Sequence, residues 1–236
     1  MLTVHVALPS GRSEKFSLSH SSKVGDLRVL AQKSFQLGFL RLVDADHHVV
    51  DSAVSLQAAG IEDGDRLTAI AIEAKVAATE RAFALFYPGG DRVVTWGSPN
   101  LGGDSSQVHN QLKGVQQLQA SDKAFAAILA DGSVVTWGYP DSGGDSSQVQ
   151  DQLKGVQQVQ AAEHAFAAIL ADRSVVTWGS PIYGGDSSQV QDQLKGVQQL
   201  QATHHAFAAI LADGSFVTWG CRHHGGDSSA VATQFD

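Results

Sequence analysis

The chain has 236 residues, of which 43% are hydrophobic and 17% are charged, a balance typical of an ordinary globular protein. Its formal net charge of −8 argues against nucleic-acid binding, because such a surface needs a basic patch. The single cysteine excludes an internal disulfide framework, and there is neither a signal-peptide pattern nor an apolar run long enough to span a membrane. We therefore expect a cytoplasmic or nuclear protein with protein partners, no nucleic-acid partner and no membrane insertion.

Residues 1–72 predict one small domain of strands and a helix. Five short apolar stretches, several of them alternating with polar residues, are typical of strands. A helix capped by Ser21 or Ser22 lies between the second and third stretches. The predicted strands are residues 2–8, 15–18, 39–43, 49–50 and 67–72.

This order of elements resembles the ubiquitin-like β-grasp fold. The resemblance is carried by Met1-Leu-Thr-Val-His-Val, by Arg41-Leu42-Val43, and by Leu56 followed by Gly60-Ile61 and Asp63-Gly-Asp-Arg-Leu67. It implies an apolar partner-binding patch made of Leu8, Val43 and Ile70. Two features depart from ubiquitin: the chain continues without a Gly-Gly terminus, and Thr68 replaces the histidine of that patch. The alternative is a β-grasp domain that serves only as a cap or docking unit.

From residue 73 onward the chain is a repeat. Its four tryptophans recur at intervals of 41 residues, and a fixed period of this size indicates stacked supersecondary units. The tryptophans are Trp96, Trp137, Trp178 and Trp219. The second predicted domain is therefore 73–236, with repeats at 73–114, 115–155, 156–196 and 197–236.

Each repeat contains a predicted β-hairpin. In the second repeat, residues 124–138 include Asp131-Gly132, a pair typical of a two-residue turn between antiparallel strands. With that turn at its centre, the hairpin pairs Ala126 with Trp137. An aromatic residue at the same position of every repeat is typical of a core, so we expect all four tryptophans to be buried.

Two further elements complete the repeat. The stretch Val156–Ala161 and its equivalents predict a third strand before the hairpin. After the hairpin, a Gly-Gly-Asp-Ser-Ser segment predicts a short helix capped by Asp145 or Ser146. In the last repeat, Phe235 takes the position of Leu153.

The segment Ala-Phe-Ala-Ala-Ile-Leu-Ala-Asp-Gly-Ser-Val-Val-Thr-Trp-Gly resembles the propeller-blade repeats of the regulator-of-chromosome-condensation family. The repeat here is shorter, Gly-Gly-Asp-Ser-Ser replaces the family's Gly-Gln-Leu-Gly, and four copies replace the usual seven. The predicted fold class is α+β: a ubiquitin-like β-grasp domain followed by a β-rich, propeller-like open arc of four repeats. A tight four-unit ring and closure by a second chain are the alternatives.

Two loops that differ between repeats lie at the open end of each hairpin, where we expect them to form one partner-binding rim. The rim candidates are Tyr139, Asp141, His164, Tyr183, His205 and Arg222. Alternatively, these loops vary because nothing constrains them. The last hairpin also brings together His204, His223 and Cys221, residue types that zinc prefers, so a metal site is a further alternative.

No catalytic motif stands out, and we expect neither enzyme activity nor a cofactor. The architecture and the two resemblances favour a non-catalytic protein-interaction scaffold or adaptor with a link to the ubiquitin system. One alternative is an accessory or substrate-recognition component of a ubiquitin ligase, because this repeat type also occurs in HERC-type ligases. A guanine-nucleotide exchange factor is the other alternative, although no segment matches an exchange wedge.

Overall fold

The computed structural model describes residues 1–232, which fall into two compact units, Met1–Ala74 and Lys75–Asp236. Across these described residues, no helix combines the length and the apolar character needed to cross a lipid bilayer. The expected equivalence of Phe235 to Leu153 concerns a residue outside the described part of the chain.

The Met1–Ala74 unit is a four-stranded sheet with one helix. Its strands are β1 (Leu2–Ala7), β2 (Ser13–Leu18), β3 (Phe39–Val43) and β4 (Arg66–Ile72), and its helix is α1 (Val24–Phe35). The sheet order is β2-β1-β4-β3, with β1 parallel to β4 and the other pairs antiparallel. Of the predicted strand at 49–50, only an isolated bridge between Val43 and Val49 is present.

Helix α1 covers one face of this sheet. Its buried residues follow helical spacing and pack with the inward-facing residues of β1, β3 and β4, which include Val4, Leu40 and Leu67. The helix begins after Lys23 rather than at the predicted Ser21 or Ser22. Lys23 takes the cap position because its backbone N–H donates to the Asp26 carboxylate at 2.9 Å.

The Lys75–Asp236 unit confirms the predicted array of repeated, small antiparallel sheets. Each repeat forms one three-stranded sheet in which the middle strand pairs with both neighbours. The strands are β5 (Lys75–Ala78), β6 (Ala82–Phe86), β7 (Val93–Gly97), β8 (Val115–Ala120), β9 (Ala124–Leu129), β10 (Val134–Gly138), β11 (Val156–Ala161), β12 (Ala165–Leu170), β13 (Val175–Gly179), β14 (Val197–Ala202), β15 (Ala206–Leu211) and β16 (Phe216–Gly220). A short 3-10 helix follows each hairpin, at Pro99–Leu101, Pro140–Ser142, Pro181–Tyr183 and Arg222–His224.

The predicted hairpin register was wrong by one residue. Leu129 N–H donates to the Ser133 carbonyl at 2.9 Å and Gly132 N–H to the Leu129 carbonyl at 3.0 Å, which defines a three-residue loop. Positive φ is needed at Gly132, where φ is 78°, and Asp131 is not among the residues with positive φ. Trp137 therefore pairs with Phe125 instead of Ala126. The one-residue shift places the two aromatic rings on the same face, stacked at 5.1 Å.

Successive sheets pack face to face through these aromatic pairs. Phe125 and Trp137 of the second sheet share a core with Ala82 and Ala84 of the first, and the next two interfaces repeat this arrangement. The indole N–H of Trp137 donates to the Gly102 carbonyl at 3.0 Å, and Trp178 and Trp219 make the equivalent bonds. Small residues on the receiving face leave room for the rings, so one repeat completes the core of the next.

Trp96 departs from the predicted equivalence of the four tryptophans. It is 45% exposed, whereas the other three are at most 5% exposed. The reason is topological: the Phe–Trp face of each sheet is covered by the preceding repeat, and no repeat precedes the first sheet.

The segment after each Gly-Gly pair forms turns in place of the predicted helix. Within residues 1–232, helical structure in these segments is confined to a 3-10 turn at Gln191–Gln193 and a single helical turn, α2 (Ser229–Ala232). In the second repeat, Ser146 Oγ donates to Gln150 Oε1 at 2.8 Å, and Gln150 Nε2 donates to the Val134 carbonyl at 2.9 Å. The Gln150 amide thus supplies a hydrogen bond to a backbone carbonyl on the outer edge of β10, which would otherwise be free to pair with another strand.

Candidate functional site

The loops at the open ends of the hairpins form a strip that we call the rim. Hydrogen bonds between backbone groups connect each loop to the next: Glu80 N–H to the Asp122 carbonyl at 2.8 Å, and Asp122 N–H to the Glu163 carbonyl at 2.9 Å. Glu163 N–H continues the series to the His204 carbonyl at 2.8 Å. The variable loops of the four repeats are therefore held side by side on one continuous surface.

Hydroxyl groups hold the two loops of a repeat together. In the second repeat, Ser121 Oγ accepts the Ala124 N–H at 3.1 Å and donates to the Ser142 carbonyl at 2.9 Å. Thr79 and Thr203 bond in the same way in the first and fourth repeats. The rim is thus a preorganised surface with defined hydrogen bonds beneath it.

Four rings on the rim form a continuous series, here called the ring stack. His164 meets Tyr183 edge-on at 4.6 Å between centroids, and Tyr183 stacks on His205 at 5.0 Å. His205 in turn stacks on His224 at 4.4 Å. The stack crosses from the third repeat to the fourth, so it exists only because the repeats pack side by side.

A carboxylate lies between two members of the ring stack. Glu163 Oε1 is 3.4 Å from His164 Nε2, and Glu163 Oε2 is 3.2 Å from His205 Nε2. The other ring nitrogen of His164, Nδ1, lies 3.1 Å from Ser142 Oγ. The side chains of Glu163, His164 and His205 are all partly accessible, so this polar and aromatic surface can accept a partner's hydrogen bonds and pack against its rings.

The structure brings together three of the predicted rim residues, His164, Tyr183 and His205. The other predicted residues lie on the rim outside the ring stack. Tyr139 is exposed, with Lys123 Nζ 6.0 Å from its ring, and Asp141 is exposed in the neighbouring 3-10 turn.

Arg222, the remaining predicted rim residue, bonds within its own repeat. Its guanidinium donates to Asp227 Oδ2 at 3.0 Å. Together with the stronger hydrogen bonds from Ser229, this donation lowers the pKa of Asp227 to about 2. Arg222 therefore already has a carboxylate partner on the surface of the last repeat.

Two members of the site were not predicted from the sequence, Glu163 and His224. Glu163 precedes a predicted rim histidine, but only the side-by-side packing of repeats places its carboxylate between two imidazoles. His224 follows the last hairpin, and its stacking on His205 depends on the 3-10 turn Arg222–His224.

The predicted zinc ligands do not converge. Within residues 1–232, His204, His223 and Cys221 do not form a group of three ligand atoms lying within 4.8 Å of one another. Cys221 Sγ instead lies 3.0 Å from Nδ1 of His224, because the 3-10 turn directs that residue, and not His223, towards the thiol. A tetrahedral zinc site needs three or four converging donors, and these three residues do not supply them in this arrangement.

One other group has metal-ligand spacing. Asp44, Asp46 and His48 have ligand atoms within 4.8 Å of one another on an exposed loop. Asp44 Oδ1 already accepts the backbone N–H groups of Asp46 and His48 at 3.0 and 2.9 Å, so the carboxylate has a role in shaping the loop.

The residues of the expected ubiquitin-like patch differ in accessibility. Ala7 and Val43 both pair with Thr68, so Leu8 and Val43 lie near the same level of the sheet. Ile70 is 38% exposed and Leu8 is partly buried against the core, but Val43 is only 3% exposed. The accessible part of the expected patch is therefore reduced to Ile70 and part of Leu8.

No protein-family model and no curated protein sequence matches the chain. Solved structures give weak similarities. A ubiquitin of Caldiarchaeum subterraneum is 17% identical with a TM-score of 0.29, covering 30% of this chain and 94% of that one. ATBAG1, from a crystal structure of its complex with HSP70, is 18% identical with a TM-score of 0.28, covering 30% of this chain and 40% of that one.

A third solved structure is also weakly similar. The ectodomain of the Physcomitrella patens receptor kinase CR4 is 15% identical with a TM-score of 0.42, covering 64% of this chain and 40% of that one. All three TM-scores lie below 0.5, and the fold described above therefore rests on the strand pairing and packing of this chain.

Proposed function

We propose that this protein is a non-catalytic interaction scaffold whose rim binds a protein partner. The observation that supports this proposal most strongly is the ring stack, in which His164, Tyr183 and His205 form a partly accessible surface across two repeats. Aromatic residues on a rigid surface supply large contact area at low entropic cost, and such residues are enriched in protein interfaces.

The chemistry of the ring stack defines the kind of partner segment that it fits. Tyr183 and the imidazoles offer flat apolar faces, while Glu163 supplies a carboxylate at the centre of the strip. A segment with an aromatic or apolar anchor beside a hydrogen-bond donor or a basic group complements both features. A role as a substrate-recognition component of a ubiquitin ligase is one form of this scaffold function.

Affinity capture with matched variants tests the rim proposal. We expect Tyr183→Ala to lose the proteins that the parent chain captures from cell extract, because it removes the central ring of the stack. Tyr183→Phe keeps the ring and should retain them, and Asp151→Asn, on the exposed segment after the second hairpin, serves as the control. If Tyr183→Ala captures the same proteins as the parent, with a matched circular-dichroism spectrum, the ring stack is not the binding surface.

The Met1–Ala74 unit is proposed to be a second binding module, linked to the ubiquitin system. This proposal is supported by the strand order β2-β1-β4-β3 around one helix and by the exposure of Ile70 on the outer face of β4. The burial of Val43 makes this surface smaller than the patch that the resemblance implies. We therefore propose a contact centred on Ile70 and the accessible part of Leu8.

An NMR titration checks this module. On addition of isolated ubiquitin-receptor domains, the amide signals of Ile70 and Leu8 should shift, and Ile70→Ala should abolish the effect because it removes the main exposed side chain of the surface. Val29→Ala, which alters an exposed apolar residue of α1, serves as the control. Titrations that leave the signals of Leu8 and Ile70 unchanged would reduce this unit to a cap or docking element.

A further inference from the structure

The first sheet of the Lys75–Asp236 unit has an apolar face that is largely exposed. This first-repeat face consists of Val76, Phe83, Leu85, Val94 and Trp96. Leu85 is partly buried, and the other four side chains are between 45% and 56% exposed. An exposed cluster of large apolar residues with two stacked aromatic rings is unusual on a monomer and typical of an interaction surface.

The interior of the same unit shows how such a face is covered. In the second repeat, the equivalent residues Leu118, Phe125, Val135 and Trp137 are at most 8% exposed. They are buried against the alanine-rich face of the first sheet. The same packing recurs between the second and third sheets and between the third and fourth, so one kind of interface is formed three times within the chain.

The last sheet carries the complementary half of that interface. Its last-repeat face includes Ala206, Ala208 and Ile210, which alternate along β15. Ile210 is 43% exposed, whereas its equivalents Ile128 and Ile169 are 5% and 1% exposed because the next sheet covers them. The four described sheets therefore present an aromatic face on the first sheet and an alanine-rich face on the last, each partly exposed.

We propose that a second copy of this chain docks head to tail, with its last-repeat face against the first-repeat face. The partner is identified by the internal interfaces, because the two exposed faces carry the same kinds of residues that pack together three times within each copy. In this contact, the rings of Phe83 and Trp96 would lie on the alanine-rich face beside Ile210, as Phe125 and Trp137 lie on Ala82 and Ala84.

A head-to-tail contact is heterologous, so it either closes into a ring or continues as a filament. Two copies would supply eight sheets, a number within the range of about four to eight found in closed propellers. We therefore expect a closed pair in which both contacts are formed. Such a pair buries both apolar faces of each copy. A head-to-tail filament of finite length would instead leave one apolar face exposed at each end.

Light scattering coupled to size exclusion tests the proposal on the full chain. We expect the parent to have twice the mass of one 24.8 kDa chain at micromolar concentration. Val94→Lys on the first-repeat face and Ile210→Lys on the last-repeat face should each reduce the mass to one chain. Ile182→Lys, which alters an apolar residue that is 70% exposed on the rim, is the matched control and should leave the mass unchanged.

Mixing the two variants identifies the direction of the contact. A Val94→Lys chain keeps an intact last-repeat face and an Ile210→Lys chain keeps an intact first-repeat face, so their mixture should recover a two-chain species through one contact. If two first-repeat faces met instead, Ile210→Lys would remain a dimer and mixing would restore nothing. That result, or a parent that stays monomeric as its concentration is raised, overturns the proposal.

Fluorescence gives a second measurement that does not depend on the lysine variants. Dilution of the parent below its association range should shift the tryptophan emission to longer wavelength, because Trp96 becomes exposed while the other three tryptophans stay buried. The shift should be absent in Trp96→Phe. An emission maximum that is independent of concentration, over a range in which the mass halves, would place the contact away from Trp96.

Discussion

Arg173 has a backbone conformation that suits glycine. Its φ is 67°, in the left-handed region, and Gly132 and Gly214 take the same position in the equivalent turns with φ of 78° and 85°. In the second repeat, a side chain at this position would also meet the chain before the next strand, since a Cβ on Gly132 would lie 2.8 Å from the Cα of Gly155. The third hairpin thus carries local strain that the second and fourth do not.

We expect Arg173→Gly to raise the free energy of unfolding by about 1 kcal/mol, because glycine reaches positive φ without the steric penalty of a side chain. Urea denaturation measures the change. The reciprocal variant Gly214→Arg should lower it by a similar amount, because nothing lies within 4 Å of a Cβ there and only the backbone penalty applies. A less stable Arg173→Gly protein would mean that the arginine makes a compensating contact.

The tryptophans provide a comparison between chemically matched positions. Trp137→Ala should cost roughly 3–5 kcal/mol, as for other large buried aromatics, because it empties the core between the first two sheets and removes the indole bond to Gly102. Trp96→Ala should cost much less, since that ring is 45% exposed. Both variants are compared in the Ile210→Lys background, so that association does not contribute. Equal losses would contradict the different burial of the two rings.

At the scale of elements, an aspartate closes two short turns in each of the last three repeats, one in the hairpin loop and one in the segment after it. In the hairpin loop, Asp131 Oδ1 accepts the backbone N–H and the hydroxyl of Ser133 at 2.9 and 2.7 Å. In the following segment, Asp145 Oδ1 accepts the Ser147 N–H at 2.9 Å. These bonds favour the carboxylate form and lower the pKa of both aspartates.

These turns predict how stability depends on pH. Seven aspartates have a folded-state pKa lowered below 3.8, so their stabilising contribution is complete above about pH 5 and disappears as pH falls through the folded-state values. For Asp227 that value is about 2. The seven are Asp104, Asp131, Asp145, Asp172, Asp186, Asp213 and Asp227.

We expect the melting temperature to be nearly constant from pH 7 to pH 5 and to fall steadily below pH 4. Replacing the hairpin aspartates Asp131, Asp172 and Asp213 together with asparagine keeps a turn-forming side chain but removes the titrating group. The triple variant should therefore lose less stability between pH 5 and pH 2 than the parent. An unchanged acid slope would show that other groups control acid unfolding.

For the whole molecule, the structure divides after Ala74, two residues beyond the predicted end of the first domain. Each unit has its own core, with one cluster around α1 and three between successive sheets. Units with separate cores are expected to unfold separately. Calorimetry of the full chain should show two transitions, and a fragment of residues 1–74 should reproduce one of them. If the full chain shows a single transition and the fragment shows none, the first unit depends on the second for its stability.

The sequence by itself was sufficient to predict the array of hairpins and most of the strand positions. These predictions rest on patterns that can be read from the sequence without knowing how the repeats pack. The patterns are the alternation within strands, a glycine in the hairpin turn of three repeats, and the constant interval between tryptophans. The rim followed from the same reasoning, because the open end of a hairpin necessarily brings its two flanking loops together. Three of its predicted residues, His164, Tyr183 and His205, lie in the ring stack.

Only the tertiary structure decided the features that depend on packing between repeats. The hairpin register places Trp137 opposite Phe125 because the paired rings fill the space beside the alanines of the preceding sheet. The segment around Gln150 forms a turn in place of a helix because the Gln150 amide donates a hydrogen bond to a carbonyl on the edge of β10. Trp96 has the same local sequence as its equivalents but stays exposed, since burial requires a neighbouring sheet that the chain does not place before it.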